Sequence, residues 1–189
     1  MPVNPSTRDK LRTAGTSALA AALARRGLPA RRIEGLHPLD PLQDPLIGEA
    51  CLTFDHSQAG AVLVVELGRP MPPLALLARR GLAGIVSGAP LRDAAGIVRG
   101  GLPAYQQRAG SATPLSIVGG DVLVGDRQGV IAIPAALVDE IAEEATEALA
   151  FEAFTAEQVD AGGGVYGLHI ASGEQARIAF AAWRKLKGR

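Results

Sequence analysis

Apolar residues along this chain follow two spacings, and the alternation between them lays out an α/β protein. Ala61-Val62-Leu63-Val64-Val65, Gly84-Ile85-Val86 and Gly129-Val130-Ile131-Ala132-Ile133 are short, uninterrupted apolar runs bounded by glycine or charge. All three read as strands, and the first has the pattern of a strand buried on both faces, which makes it a central strand. Helical spacing appears over residues 17–27, where Leu19 and Leu23 share a face, Thr16 or Ser17 is the N-cap, Arg25 and Arg26 crowd the carboxyl end and Gly27 is the stop. A second helix opens at Met71-Pro72-Pro73 and runs to Arg80, with Gly81 closing it. A third begins with Pro134 as its first residue and carries Leu137, Ile141, Ala145 and Ala148 or Leu149 on one stripe, against Asp139, Glu140, Glu143, Glu144 and Glu147 elsewhere.

The intervening segments complete the layout. Residues 1–12 are polar and proline-containing, which predicts an arm. Residues 33–45 hold Pro38, Pro41 and Pro45 without any period and predict an extended surface connection. Residues 46–54 offer a strand around 50–54, and shorter ones are expected near 103–105 and 114–118. Asp126-Arg127-Gln128 between residues 121–125 and 129–133 predicts a β-hairpin, with Gly129 supplying a positive φ. Residues 1–149 then form the α/β domain. After the break at Gly162-Gly163-Gly164 come a short extended piece and a last helix over 172–186, so residues 150–189 form a helical tail that packs on the body or on a neighbouring subunit.

Composition narrows the function classes. A chain of 189 residues, 48% hydrophobic and 20% charged, is long enough for one real core. Nineteen basic and nineteen acidic residues cancel, which removes the usual electrostatic signature of a nucleic-acid or anionic-membrane partner. No apolar run reaches the roughly 18 residues of a membrane span and no leader opens the chain, so a cytoplasmic protein is expected. The single cysteine, Cys51, has no internal disulfide partner and reads as a small buried hydrophobe.

Candidate chemistry concentrates in one place. Gly88 and Pro90 follow the Gly84–Ser87 strand and deliver adjacent Arg92 and Asp93, and strand ends are where functional side chains converge above a rigid sheet. The guanidinium is a planar fork suited to a carboxylate; the carboxylate suits a hard cation. The alternative is a solvated loop pair. His37, His56 and His169 lack metal-like spacing, and nothing brings Cys51 to a histidine. Asp121 and Asp126 are of a ligand type, but beside glycines they match carboxylates that fix turns through their own backbone.

Arg92-Asp93 together with Gly119-Gly120-Asp121-Val122-Leu123-Val124-Gly125-Asp126-Arg127-Gln128-Gly129-Val130-Ile131-Ala132-Ile133-Pro134 resembles the RraA-like family. That family takes in the regulator of ribonuclease activity A and the 4-hydroxy-4-methyl-2-oxoglutarate aldolases. Leu11-Arg12-Thr13 onward and Val165-Tyr166-Gly167-Leu168 onward are similar to its longer bacterial members. The resemblance implies a swivelling β/β/α domain, assembled as a homotrimer or a pair of trimers. It also implies a Mg²⁺- or Mn²⁺-dependent lyase that cleaves or decarboxylates small 2-oxo acids, with Arg92 as the catalytic substrate clamp and Asp93 as the metal carboxylate. One branch of the family instead binds and inhibits a ribonuclease, which keeps a non-catalytic regulatory protein as the alternative. Two departures stand out. Gly88-Ala89 replaces the family's Asp-Gly, and the loop whose backbone amides meet substrate falls near Pro72-Pro73, where proline has no N–H to donate.

Overall fold

Seven strands form the framework: β1 (Leu36–Pro38), β2 (Leu46–Cys51), β3 (Val62–Val65), β4 (Gly84–Ser87), β5 (Ala104–Gln107), β6 (Val122–Asp126) and β7 (Gly129–Ile133). They lie in one sheet in the order β1-β5-β4-β3-β2-β6-β7. This is a computed structural model that describes residues 3–29, 31–110, 113–162 and 174–187. Neighbours from β2 to β5 are parallel, β1 is antiparallel on β5, and the β6–β7 hairpin is antiparallel on β2. The chain before β1 returns to β7, where the Ile33 amide donates to the Val130 carbonyl and the Ala132 amide to the Arg31 carbonyl. The sheet therefore nearly closes on itself.

Its two faces bury different halves of each strand, as a period of two requires. Val62 and Val64 of β3 join Leu46, Val86, Tyr105, Leu123 and Val130 in the interior cluster. Leu63 and Val65 face the other way, with Ile85 and Ala104, against Leu77 of helix α2 (Leu74–Arg80) and Ile97 of helix α3 (Ala94–Arg99). Both faces of β3 are covered, which is why its sequence shows no polar alternation. At Gly125 a side chain is excluded: a Cβ there would stand 2.8 Å from the Tyr105 ring. The Tyr105 hydroxyl donates to the Asp126 carbonyl at 3.0 Å, tying β5 to the far hairpin.

Several expectations are corrected. The arm expected over residues 1–12 is a helix over most of its described part: α1 spans Pro5–Arg25, with Asn4 as N-cap accepting from the Ser6 amide. Its first half is polar, yet Leu11 is fully buried, and the ion pair of Lys10 with Glu143 and the Thr7–Asp139 hydrogen bond hold it to helix α4 (Val138–Asp160). At Gly15 the backbone leaves helical geometry, at φ 68 and ψ 171, a positive-φ region that glycine enters without a Cβ penalty. The second half restarts at Thr16, but neither Thr16 nor Ser17 is its cap. Asp126 caps it from the hairpin, accepting the Thr16 amide at 2.7 Å and the Thr16 hydroxyl at 2.8 Å.

The connection over 33–45 contains β1, a strand too short for a periodic signal. β2 starts at Leu46, where the expected segment opens, but ends at Cys51 instead of running through 54, giving way to a single 3₁₀ turn at Phe54–His56. No strand forms at 114–118, where Ser116 sits at φ 52. Helix α3 was not foreseen. Pro72 and Pro73 precede α2 rather than start it, and Pro134 is the N-cap of a 3₁₀ turn, Ala135–Leu137, ahead of α4. Cys51 is half-buried, its thiol donating to the Thr53 carbonyl at 3.0 Å. The hairpin holds: Asp126 pairs with Gly129 across Arg127-Gln128, and Gly129 has φ 126.

By its internal contacts the chain divides into two units, Met1–Ala145 and Thr146–Arg189. The second has its own aromatic cluster. Phe151, Phe154 and Phe180 meet with ring centroids 5.2 to 5.9 Å apart, and Trp183 of helix α5 (Glu174–Lys187) joins them. The Trp183 ring N–H donates to Glu157 at 2.8 Å, which satisfies the polar end of a nearly buried indole. The extended piece expected before α5 lies outside the described residues. No helix among those described is long and apolar enough to cross a membrane.

Candidate functional site

Parallel pairing puts the carboxyl ends of β3 and β4 side by side, with Val65 in register with Ser87. Two loops leave from this edge, residues 66–73 after β3 and 88–93 after β4. In open α/β sheets this edge is where ligands are met. The loops are tied at their base: the Gly88 amide donates to the Val65 carbonyl at 2.8 Å. A Cβ on Gly88 would come within 3.1 Å of the Leu67 amide nitrogen, so the absence of a side chain lets the loops lie against each other.

Both loops are held further along. Ser87 Oγ accepts from the Ala89 amide at 3.2 Å and donates to the Ala89 carbonyl at 2.7 Å. Gln106 of β5 accepts the Leu91 amide at 2.7 Å, and Asp93 Oδ1 accepts the Gly96 amide at 3.1 Å as the N-cap of α3. On the other side the Arg69 amide donates to the Glu66 carbonyl at 3.0 Å around Gly68, whose φ of 82 suits the third position of a type II turn. Pro70, Pro72 and Pro73 follow, each with its φ fixed.

Between the loops lies a cleft of about 800 Å³. Arg92 and Asp93 both line it, together with Glu66, Arg69, Met71 and Ser87. The two residues singled out from the sequence are thus in one cleft at the end of β4. Sequence reasoning missed Glu66 and Arg69, although the same strand-end argument applied to β3 leads directly to Glu66-Leu67-Gly68-Arg69. One arginine and one acidic residue from each loop line the cleft, so its lining carries balanced formal charge.

A divalent cation is implied by the family resemblance, and the carboxylates can be tested against it. Asp93 accepts the Gly96 amide through Oδ1 and its carboxylate lies close over Gly96, where a Cβ would collide with Oδ2, while Glu66 stands in the same cleft. Among the described residues no three of His, Cys, Asp and Glu converge to make a protein-only cage. Mg²⁺ commonly takes one or two carboxylates and keeps several waters, so the donor set fits a largely hydrated hard ion.

The other candidate residues lie elsewhere. Asp121 accepts from Arg31 at 2.9 Å and Asp126 caps α1, so both carboxylates are structural. Cys51 and His56 do share a smaller cleft of about 130 Å³. There the thiol donates to the Thr53 carbonyl while His56 Nδ1 bonds the Thr53 hydroxyl at 3.0 Å.

No protein-family model matches the sequence, and no curated protein matches it significantly. Solved structures do match the fold. An uncharacterized protein from Pseudomonas syringae pv. tomato str. DC3000 superposes with a TM-score of 0.67 at 18% identity, covering 90% of this chain and 100% of that one. Streptomyces coelicolor RraAS2, described as an unusual member of the RNase ES inhibitor RraA protein family, gives 0.66 at 21% identity over 82% of this chain and 98% of its own. A structure described as novel cellulases from microbes associated with the gut ecosystem gives 0.66 at 16%, covering 80% and 88%. At these identities the likeness is one of architecture. With its mixed, nearly closed seven-stranded sheet and flanking helices, the chain has the RraA-like fold.

Proposed function

We propose that the protein is a divalent-metal-dependent carbon–carbon lyase acting on small 2-oxo acids such as 4-hydroxy-4-methyl-2-oxoglutarate or oxaloacetate. The observation that carries this is the presence of Arg92 and Asp93 in one cleft at the carboxyl end of β4. Arg92 forks onto the carboxylate next to the 2-oxo group, fixing the scissile C3–C4 bond relative to the loop. Asp93, with Glu66 beside it in the cleft, would hold Mg²⁺ or Mn²⁺. When bound, the ion polarises the 2-oxo group so that charge developing there is stabilised. Glu66 accepts the proton of the C4 hydroxyl and returns it to C3, so an aldol substrate yields two 2-oxo fragments with no other reactant.

The deciding assay measures pyruvate release from both acids with and without Mg²⁺, in the native protein and in Asp93→Asn. Metal-dependent release that the substitution abolishes is expected. Absence of release from either substrate would overturn the lyase.

The second reading is a regulatory protein that acts by binding an enzyme, and it is favoured by the description of RraAS2 as a member of a ribonuclease inhibitor family. Inhibition of a ribonuclease by a protein with Arg92 and Asp93 replaced would select it. In both readings the protein is a homo-oligomer, most simply a trimer or hexamer, because Leu52, Leu67 and Leu76 expose 47%, 59% and 43% of their surface. Light scattering at micromolar concentration tests this, and a monomer would sink it.

A further inference from the structure

A second arginine, Arg69, lines the cleft and a smaller neighbouring one, and the lyase chemistry leaves it idle. Arg69 lines the cleft from the loop after β3 and Arg92 from the loop after β4, the two loops being tied at their base through Gly88 and Val65. Among the described residues neither side chain has a hydrogen-bond or ion-pair partner. Arg69 is also set on a stiff support, between the turn at Gly68 and three prolines, so little backbone freedom is lost when it binds. Charge bears on what it would hold. Arg69 and Arg92 balance Glu66 and Asp93, and a divalent cation is then neutralised by a substrate with two carboxylates, whereas a monocarboxylate leaves positive charge uncompensated.

We propose that Arg69 is the specificity determinant for a second substrate carboxylate, and that it directs the site toward aldol cleavage of 4-hydroxy-2-oxo dicarboxylic acids and away from decarboxylation. This rests on the lyase assignment of the same cleft. The distinction follows from where charge goes when C3–C4 breaks. In 4-hydroxy-4-methyl-2-oxoglutarate the electron pair moves to C3 as the enolate of pyruvate. C4 becomes a carbonyl and the carboxylate it carries stays ionised. A guanidinium on that carboxylate binds substrate and transition state alike. In oxaloacetate the second carboxylate is C4 itself: it leaves as neutral CO₂, the pair again goes to C3, and water supplies the proton. A guanidinium there holds the substrate more tightly than the transition state and raises the barrier.

The experiment compares the native protein with Arg69→Gln on both acids in Mg²⁺. For 4-hydroxy-4-methyl-2-oxoglutarate kcat/KM is expected to fall at least tenfold, the loss lying in KM. For oxaloacetate KM also rises, but kcat rises with it. Equal proportional losses of kcat on the two acids, or no change in KM for either, would overturn the proposal. A separate binding arm keeps it distinct from the lyase assignment. By calorimetry in Mg²⁺, 2-oxoglutarate should bind the native protein at least tenfold more tightly than pyruvate, and Arg69→Gln should erase that preference. Absence of turnover with the preference present and Arg69-dependent removes the lyase and leaves Arg69 as a dicarboxylate contact. Absence of the preference, or its survival in Arg69→Gln, refutes the role of Arg69 whatever the turnover.

Discussion

Asp126 and Thr16, 110 residues apart, form one cap: the carboxylate of a hairpin turn accepts both the amide and the hydroxyl at the restart of α1. Asp126 also accepts the Gln128 amide at 2.8 Å, so the same group fixes its own turn. A negative charge at a helix amino terminus is further favoured by the helix dipole. Asp126→Ala is therefore expected to destabilise the fold by about 2–4 kcal/mol, since a cap and a turn are lost together. Urea denaturation monitored by circular dichroism measures it, and a loss under about 0.5 kcal/mol would show the cap to be idle.

Asp93 separates stability from chemistry. Asparagine caps helices about as well as aspartate, so Asp93→Asn should keep the α3 cap and change stability by less than about 0.5 kcal/mol, while Asp93→Ala costs about 1 kcal/mol. Both should lose metal-dependent turnover. Paired melting and pyruvate-release measurements test this; retained turnover in Asp93→Asn would assign the residue to capping alone.

Arg92→Lys should raise KM for 2-oxo acids by about tenfold or more without altering the melting temperature, because an ammonium does not reproduce a bidentate fork. Steady-state kinetics at saturating Mg²⁺ is the measurement. An unchanged KM would place Arg92 among solvated loop charges.

Gly125→Ala tests the closure of the sheet. The added methyl meets the Tyr105 ring, which is held in place by the Asp126 carbonyl, so the change should cost about 1–3 kcal/mol. Combining it with Tyr105→Ala, which vacates the space, should give a smaller total than the sum of the single losses. Strict additivity in equilibrium unfolding would contradict the contact.

Tyr105 should also titrate late. Burial pushes its phenol up to about 12 from 10, outweighing the neighbouring Gln43 amide, which acts the other way. Because the folded-state value is raised, the neutral phenol's contribution is intact below pH 10 and is lost between about 10 and 12 as the unfolded chain ionises first. Ultraviolet titration of the phenolate band should show a component near pH 12 that Tyr105→Phe removes. A single transition near pH 10 in the native protein would refute the burial argument.

Strand β4 was legible residue for residue, and β3 and the hairpin nearly so, because continuous apolar runs between glycines admit few other structures. The first half of α1 was not. Its amphipathic signal is a single large apolar residue, Leu11, and the rest of its anchorage comes from polar partners on α4 that are distant in sequence. Helix α3 was hidden because Asp93 had been read only as a candidate ligand, while an aspartate ahead of Ala94-Ala95 is equally a helix cap. The position of Arg92 and Asp93 beyond the end of β4 was legible by the strand-end rule. Glu66 and Arg69 were passed over because the prolines after them drew attention to a helix start rather than to a loop.

The Asp126 clasp also sets an order of events during synthesis. The segment at Thr16 leaves the ribosome long before residue 126, so the restart of α1 is made without its cap until most of the sheet has been translated. The parallel strands from β2 to β5 have their pairing partners available earlier. A helix translated before any strand of the sheet is thus among the last elements to be locked. Pulse-labelled hydrogen exchange during refolding should find the Thr16 amide protected only after those of Leu63 and Ile85.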